Sequence, residues 1–213
     1  DFCIVGSGIA GSTIAKLLSK KYSVKILDKA KGVGGRSSNR RYDDKLNFDH
    51  GLQYISPKNG EFKKFIKYLE KKDVIKEWTG PHLDFLFKKK KNSKKYIGSK
   101  SNNSIVKYLL QNQDVSLNNA VKKIIFKNDH WTVSLNNGDK INFRNIVLTC
   151  PYLQTKNLTS KYLGKKILDL NVKMEPNITL MIVLKNGNRI PLSSINLNDE
   201  VIAWISNENS KKR

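Results

Sequence analysis

Phe2-Cys3-Ile4-Val5-Gly6-Ser7-Gly8-Ile9-Ala10-Gly11 is the stretch whose reading decides the fold. Four apolar residues in a row suit a short strand buried on both faces. The glycines come at once after it. Gly6 permits a tight turn, Gly8 lets a backbone approach a pyrophosphate, and Gly11 lets the next helix pack closely on the sheet. Apolar periodicity from Ile9 through Leu18 predicts that helix. Its first N–H groups, at Ile9, Ala10 and Gly11, would face an anion with the positive end of the helix dipole. A second apolar run, Val24 to Leu27, ends in Asp28, about 20 residues after the glycines, where a carboxylate accepts hydrogen bonds from ribose hydroxyls. Strand, glycine turn, helix, strand and acid together predict a site for the ADP half of a dinucleotide. The same carboxylate disfavours a 2′-phosphate. A glycine turn in an unrelated α/β protein would explain neither Asp28 nor a second glycine cluster just beyond it.

That cluster is Gly32-Val33-Gly34-Gly35-Arg36; after it come Arg40-Arg41 and then Phe48-Asp49-His50-Gly51-Leu52-Gln53-Tyr54. A nicotinamide dehydrogenase has no need of Gly-Gly-Arg here. Glycines permit close backbone approach, and an arginine neutralises phosphate charge. These segments resemble the renalase-like branch of the flavin amine-oxidase superfamily. The resemblance is densest over residues 2–55, with weaker echoes at Val121–Asp139, Ile146–Pro151 and Ala203–Ile205. It implies a non-covalent FAD, with Gly6, Gly8, Gly11, Asp28 and the adjoining Lys29, and Gly34, Gly35 and Arg36 around its ADP half. It also implies Val121 at the adenine, and the segment from Gly51 through Gln53 to Tyr54 near the isoalloxazine ring. Leu52 departs from the small alanine usual there.

The fold implied is α/β. A Rossmann-like FAD-binding domain, a parallel sheet plus a β-meander, would comprise residues 1–55 and 115–155. An interleaved, incomplete α+β substrate domain would comprise 56–114 and 156–213. Helices are predicted at Glu61–Lys72, from Phe62, Phe65, Ile66 and Leu69 on one face, and at Ser104–Asn112, capped by Asn102 or Asn103. Strands are predicted at Trp78–Phe87, Val121–Phe126, Trp131–Leu135, Lys140–Phe143, Asn145–Cys150, Ile178–Leu184 and Val201–Ser206. Asn136-Asn137-Gly138-Asp139 predicts a hairpin turn, and Pro151 stops the strand before it. The chain opens inside its first strand and closes just after an apolar run, so it is expected to be a piece of a longer protein.

The net charge is +22, but only six of the 40 basic residues are arginine (36, 40, 41, 144, 189 and 213). Lysine, asparagine and isoleucine share A/T-rich codons, which accounts for the excess. A reader of nucleic acid would favour arginine for bidentate contacts. The run Lys88–Lys95 reads as a solvated loop. No specific nucleic-acid partner is expected, although the surface should weakly attract anionic ligands such as nicotinamide dinucleotides. Cys3 and Cys150 lie in apolar runs and read as buried hydrophobes. His50, His82 and His130 form no metal-ligand spacing, and no metal is expected. No apolar run reaches membrane-spanning length, and a cytoplasmic protein is expected.

The implied activity is that of an FAD-dependent oxidoreductase. A hydride passes from a small reduced substrate, dihydro-NAD(P) isomers by the resemblance, to flavin N5, and the electrons then pass to oxygen. An amine oxidase, an NAD(P)-dependent dehydrogenase and a basic binding module are the alternatives. No catalytic acid–base pair stands out. His50 reads either as a cofactor-side polar group near the ring or the pyrophosphate, or as a hydrogen-bonded turn residue, and Gln53 and Tyr54 as orienting groups or as packing. Oligomeric state is not legible.

Overall fold

In a computed structural model, residues 1–43, 46–88, 94–164, 169–185 and 190–213 are described. The chain divides into two compact units, 1–36 with 106–178, and 37–105 with 179–213.

The first unit is built on a four-stranded parallel sheet. Its spatial order is Asn145–Leu148, Phe2–Val5, Val24–Leu27 and Asp114–Ser116. Cys3 lies opposite Lys25 on one side and Ile146 on the other. The helix Ile9–Leu18 joins the first two strands, as a parallel crossover requires. Side chains alternate across the sheet. Ile4 and Ile26 pack with Ala15 of this helix and with Val106 and Leu110. Cys3, Val5 and Leu27 pack on the opposite face with Ile124, Val133, Leu135 and Phe143. Those four come from an antiparallel meander, Val121–Lys127, His130–Leu135 and Lys140–Phe143. Each fully buried aliphatic side chain contributes on the order of 1.5–3 kcal/mol, so both covers of the sheet are held mainly by apolar burial.

The expected fold class is present: a Rossmann-like parallel sheet with a meander. Gly138, with φ +96°, closes the predicted hairpin turn. The short strand Asp114–Ser116 and the helix Tyr152–Thr159 were not predicted. Pro151 ends the strand as expected but also opens that helix, since proline's missing N–H is harmless at a helix start.

The second unit holds the helix Gly60–Lys71, whose N-cap Asn59 accepts a hydrogen bond from the Phe62 N–H at 2.8 Å. Its buried stripe is narrower than predicted: Ile66 and Leu69 are buried, while Phe62 is exposed. Two further predictions fail here. Trp78–Phe87 is not one strand. Only His82–Leu83 pairs, because Asp84 Oδ1 takes the Leu86 and Lys88 N–H groups into a turn and leaves Phe85, Leu86 and Phe87 exposed. Ile178–Leu184 forms no strand in the structure, and its apolar side chains are exposed. The predicted strand Val201–Ser206 is confined to Trp204–Ser206, which pairs with Ser194–Asn196. The helix predicted to end at Asn112 ends at Leu109. Of the lysine run, residues 89–93 lie outside the described residues; Lys94 pairs with Glu77 at 2.7 Å, and Lys95 is buried rather than solvated.

Candidate dinucleotide site

The glycine turn closes on itself through backbone. Gly6 has φ +108°, a conformation that glycine adopts without strain, and its N–H donates to the Leu27 carbonyl at 2.9 Å. A Cβ at Gly11 would lie 1.9 Å from the Gly6 carbonyl oxygen, so no larger residue fits. Gly8 is the N-cap of the first helix. It offers no side-chain cap, and the first turn holds no acidic residue. The N-terminal N–H groups are thus presented without a competing carboxylate. Ile9 and Ala10, at the head of the helix, are exposed.

The second glycine cluster meets the first. Gly8 and Gly34 form a parallel bridge, and the Gly34 N–H donates to the Ser7 carbonyl at 3.1 Å. Gly34 and Gly35 both have positive φ, +125° and +54°. A Cβ on Gly35 would lie 3.4 Å from Gly8 Cα and one on Gly8 3.9 Å from the Gly34 carbonyl oxygen, ordinary contacts, so it is the positive φ of Gly34 and Gly35 that favours glycine here. Arg36 comes next, exposed. The two turns therefore line one groove.

Asp28 stands at the tip of the second strand, half-buried. Its Oδ2 accepts from the Ser7 N–H and the Ser7 hydroxyl, both at 2.6 Å, and its Oδ1 accepts from the Ala30 N–H at 2.8 Å. A carboxylate has about four acceptor sites, so this bonding orients Asp28 and leaves capacity on Oδ1. Ser7 was not singled out in the sequence. It is fully buried and ties the glycine turn to the acid. Thr149 was also missed; its hydroxyl donates to the Val5 and Gly6 carbonyls at 2.9 and 3.1 Å. Lys29 is exposed beside Asp28. Val121 opens the meander and packs on the sheet's apolar cluster.

A dinucleotide fits this groove on structural grounds. The turn is so tight that no Cβ is admitted at Gly11, the helix start is uncapped, and an oriented carboxylate stands at the strand tip.

His50, Gly51 and Gln53 belong to the second unit, where they sit on a tightly bonded turn. His50 Nε2 lies 3.4 Å from the Ser38 hydroxyl, and its carbonyl accepts from Thr179 Oγ1 at 2.8 Å. The Gln53 amide is used at both ends. Its Nε2 donates to the Asp49 carbonyl, and its Oε1 accepts from the Ser206 hydroxyl at 3.0 Å. Asn102 was one of two residues, with Asn103, predicted to cap a helix. Instead its Nδ2 donates to the Leu52 and Gln53 carbonyls at 2.5 and 3.1 Å, and its Oδ1 accepts from the Gly98 N–H at 2.9 Å. Nearby, the Tyr54 ring lies 5.6 Å from that of Trp204, and Lys95 Nζ sits 5.1 Å from the Tyr54 ring centre.

Residues 4–69 match the model of an NAD(P)-binding Rossmann-like domain. Mouse (Mus musculus) renalase is 30% identical over 159 residues, 70% of this chain and 46% of its own length. An uncharacterised protein of Methanocaldococcus jannaschii is 35% identical over 95 residues, 40% of this chain and 25% of its own. The chain thus spans less than half of either relative. Among solved structures, one assigned as a protoporphyrinogen oxidase from Exiguobacterium sp. 255-15 shares the fold, with a TM-score of 0.60 at 10% identity, over 79% of this chain and 63% of that one. A putrescine oxidase redesigned in its cofactor binding shares it too, with a TM-score of 0.60 at 13% identity, over 78% and 62%. Over the matched residues the chain is thus similar to renalase, and it shares the fold of the two oxidases.

Proposed function

We propose that the groove between the two glycine turns holds the diphosphate of FAD, and that the whole protein oxidises a small reduced substrate. The observation that carries this reading is the Gly8–Gly34 bridge, which brings two glycine turns distant in sequence into one backbone cradle. Gly6, Gly8 and Gly11, with the N–H groups of Ile9 and Ala10, take the phosphates from one side. Gly34 and Gly35 take them from the other, and Arg36 supplies the positive charge. Asp28, with Lys29 beside it, accepts from the ribose hydroxyls, and Val121 meets the adenine. His50, Gly51 and Gln53 serve the ring end. Residues 1–55 and 115–155 act as the flavin domain, and the remainder as part of a substrate domain.

Bound FAD supplies a hydride acceptor at N5 and hands two electrons to dioxygen, which with two protons leaves as hydrogen peroxide. The protein's share is positioning and exclusion of water. The substrate we favour is a dihydro isomer of a nicotinamide dinucleotide. The net charge of +22 suits such an anion. A cytoplasmic setting suits two unpaired cysteines, and no helix among the described residues is long and apolar enough to cross a membrane.

The test uses the full-length protein. It should purify yellow, and 2- or 6-dihydro-NAD(P) isomers should bleach the flavin absorbance, which oxygen then restores. Bleaching by amines alone would replace the substrate reading with amine oxidation. A protein that stays colourless with added FAD and reduces NAD(P) would overturn the flavin reading itself.

A further inference from the structure

The second unit contains a buried cluster of four charges that the proposed reaction has not used. Asp49 and Lys211 side chains are both 0% exposed, and their ion pair measures 3.0 Å. Arg213, nearly as buried, pairs with the same Asp49 oxygen. Glu208 balances both cations, at 2.5 Å from Lys211 Nζ and 3.2 Å from Arg213. Two acids and two bases leave the cluster neutral. Desolvation is what moves these groups: burial raises the Glu208 carboxyl and lowers the Lys211 ammonium from their ordinary values.

Asp49 is the hub. Its second oxygen accepts from the Asn102 N–H at 3.0 Å and from Asn39 Nδ2 at 3.3 Å. Its own carbonyl takes the Gln53 amide, and Asn102 in turn holds the carbonyls of Leu52 and Gln53. Ser206 holds the other end of the Gln53 amide. Asp49, Asn102 and Ser206 thus supply the anchors of Leu52 and Gln53, beside the bonds of His50 to Ser38 and Thr179 and a bond inside the turn from Gln53 Nε2 to the Gly51 carbonyl at 3.4 Å. Gly51, within the turn, is exposed.

We infer that Asp49 is a positioning residue. Through Asn102 and the Gln53 amide, its buried ion cluster fixes the His50–Gln53 turn in the one conformation that serves the flavin ring and its substrate. The inference rests on the proposed flavin reaction. Its physical basis is that a loop held by a desolvated, fully bonded network has few alternative conformers, whereas a free loop with an exposed glycine has many.

The experiment compares the full-length protein with Asp49→Asn and Ser206→Ala, measuring the single-turnover rate of flavin reduction per bound FAD, substrate KM, FAD content and Tm. Ser206→Ala removes one hydrogen bond and no charge, so it keeps the test alive if Asp49→Asn does not fold. The expected result is a rate per flavin lowered roughly 10- to 100-fold in Asp49→Asn. In Ser206→Ala the rate should fall several-fold, with Tm and FAD content held and kcat changed more than KM. A rate per flavin within twofold of the parent in Ser206→Ala, or in folded Asp49→Asn, would overturn the positioning role, whatever happens to Tm. Failure of the parent protein to bleach at all would instead refute the flavin reading.

Discussion

The two units solve the same problem with opposite materials. In the first, the groove is made of backbone: glycines at 6, 8, 11, 34 and 35 bring main chain against main chain, with the charges of Asp28, Lys29 and Arg36 beside them. In the second, a turn is held by side chains tied to four charged groups, Asp49 and Lys211 fully buried among them, from positions up to 164 residues apart. A backbone site is specified by what is absent, a Cβ, and tolerates no addition. A side-chain site is specified by mutual pairing and tolerates no subtraction.

That contrast can be broken by substitutions of opposite kinds. The largest effect is expected from Asp49→Ala. It leaves Lys211 and Arg213 buried with Glu208 as their one acidic partner among the described residues, and breaking a buried pair costs on the order of 3–5 kcal/mol. Urea unfolding of the full protein should show it. An additive change in the first unit comes next. Gly11→Ala puts a carbon 1.9 Å from the Gly6 carbonyl, where both parties are backbone. A loss of roughly 1–3 kcal/mol is expected, with weaker FAD retention. An Asp49→Ala protein as stable as its parent, or a Gly11→Ala protein that keeps its flavin, would remove one side of the comparison.

The smallest effect sharpens the picture of the first unit's interior. Burial pushes the Cys3 thiol up to about 12, from an ordinary 9.0. The folded protein thus keeps a proton that the unfolded chain gives up above pH 9. Stability is fully present below pH 9 and falls as pH rises toward 12, by about 1.4 kcal/mol per pH unit. Chemical denaturation between pH 8 and 10 should show this slope, and Cys3→Ala should flatten it. An equal slope in both proteins would mean that the sheet face around Cys3 is wet.

Legibility in the sequence divides along the same line. The strand, turn, helix and strand of residues 2–27 appear where the local pattern puts them, because glycine spacing and apolar runs act over a few residues. The hairpin at Gly138 was legible for the same reason. Ser7 was not: a serine between two glycines gives no sign that it will hold Asp28. Asn102 reads as a cap because a cap is the local use of asparagine, while its actual partners lie about 50 residues back, at Leu52 and Gln53. The alternation of Leu83, Phe85 and Phe87 suggested a strand, but Asp84 offered the backbone a tighter hydrogen-bonding partner. The charge cluster could not be foreseen, since the lysines and arginines near the end of the chain look like any others in this lysine-rich sequence.

The first strand lies between Val24–Leu27 and Asn145–Leu148, and Thr149 locks the carbonyls of Val5 and Gly6. This arrangement governs how the protein emerges from the ribosome. The glycine turn is synthesised well before Thr149, yet one flank of its strand stays an unpaired apolar edge until residue 149 has been made. Throughout that interval the nascent chain carries a sticky edge of the kind that invites aggregation. Truncations ending before Thr149 should therefore depend on chaperones, whereas chains reaching beyond it can close the groove unaided.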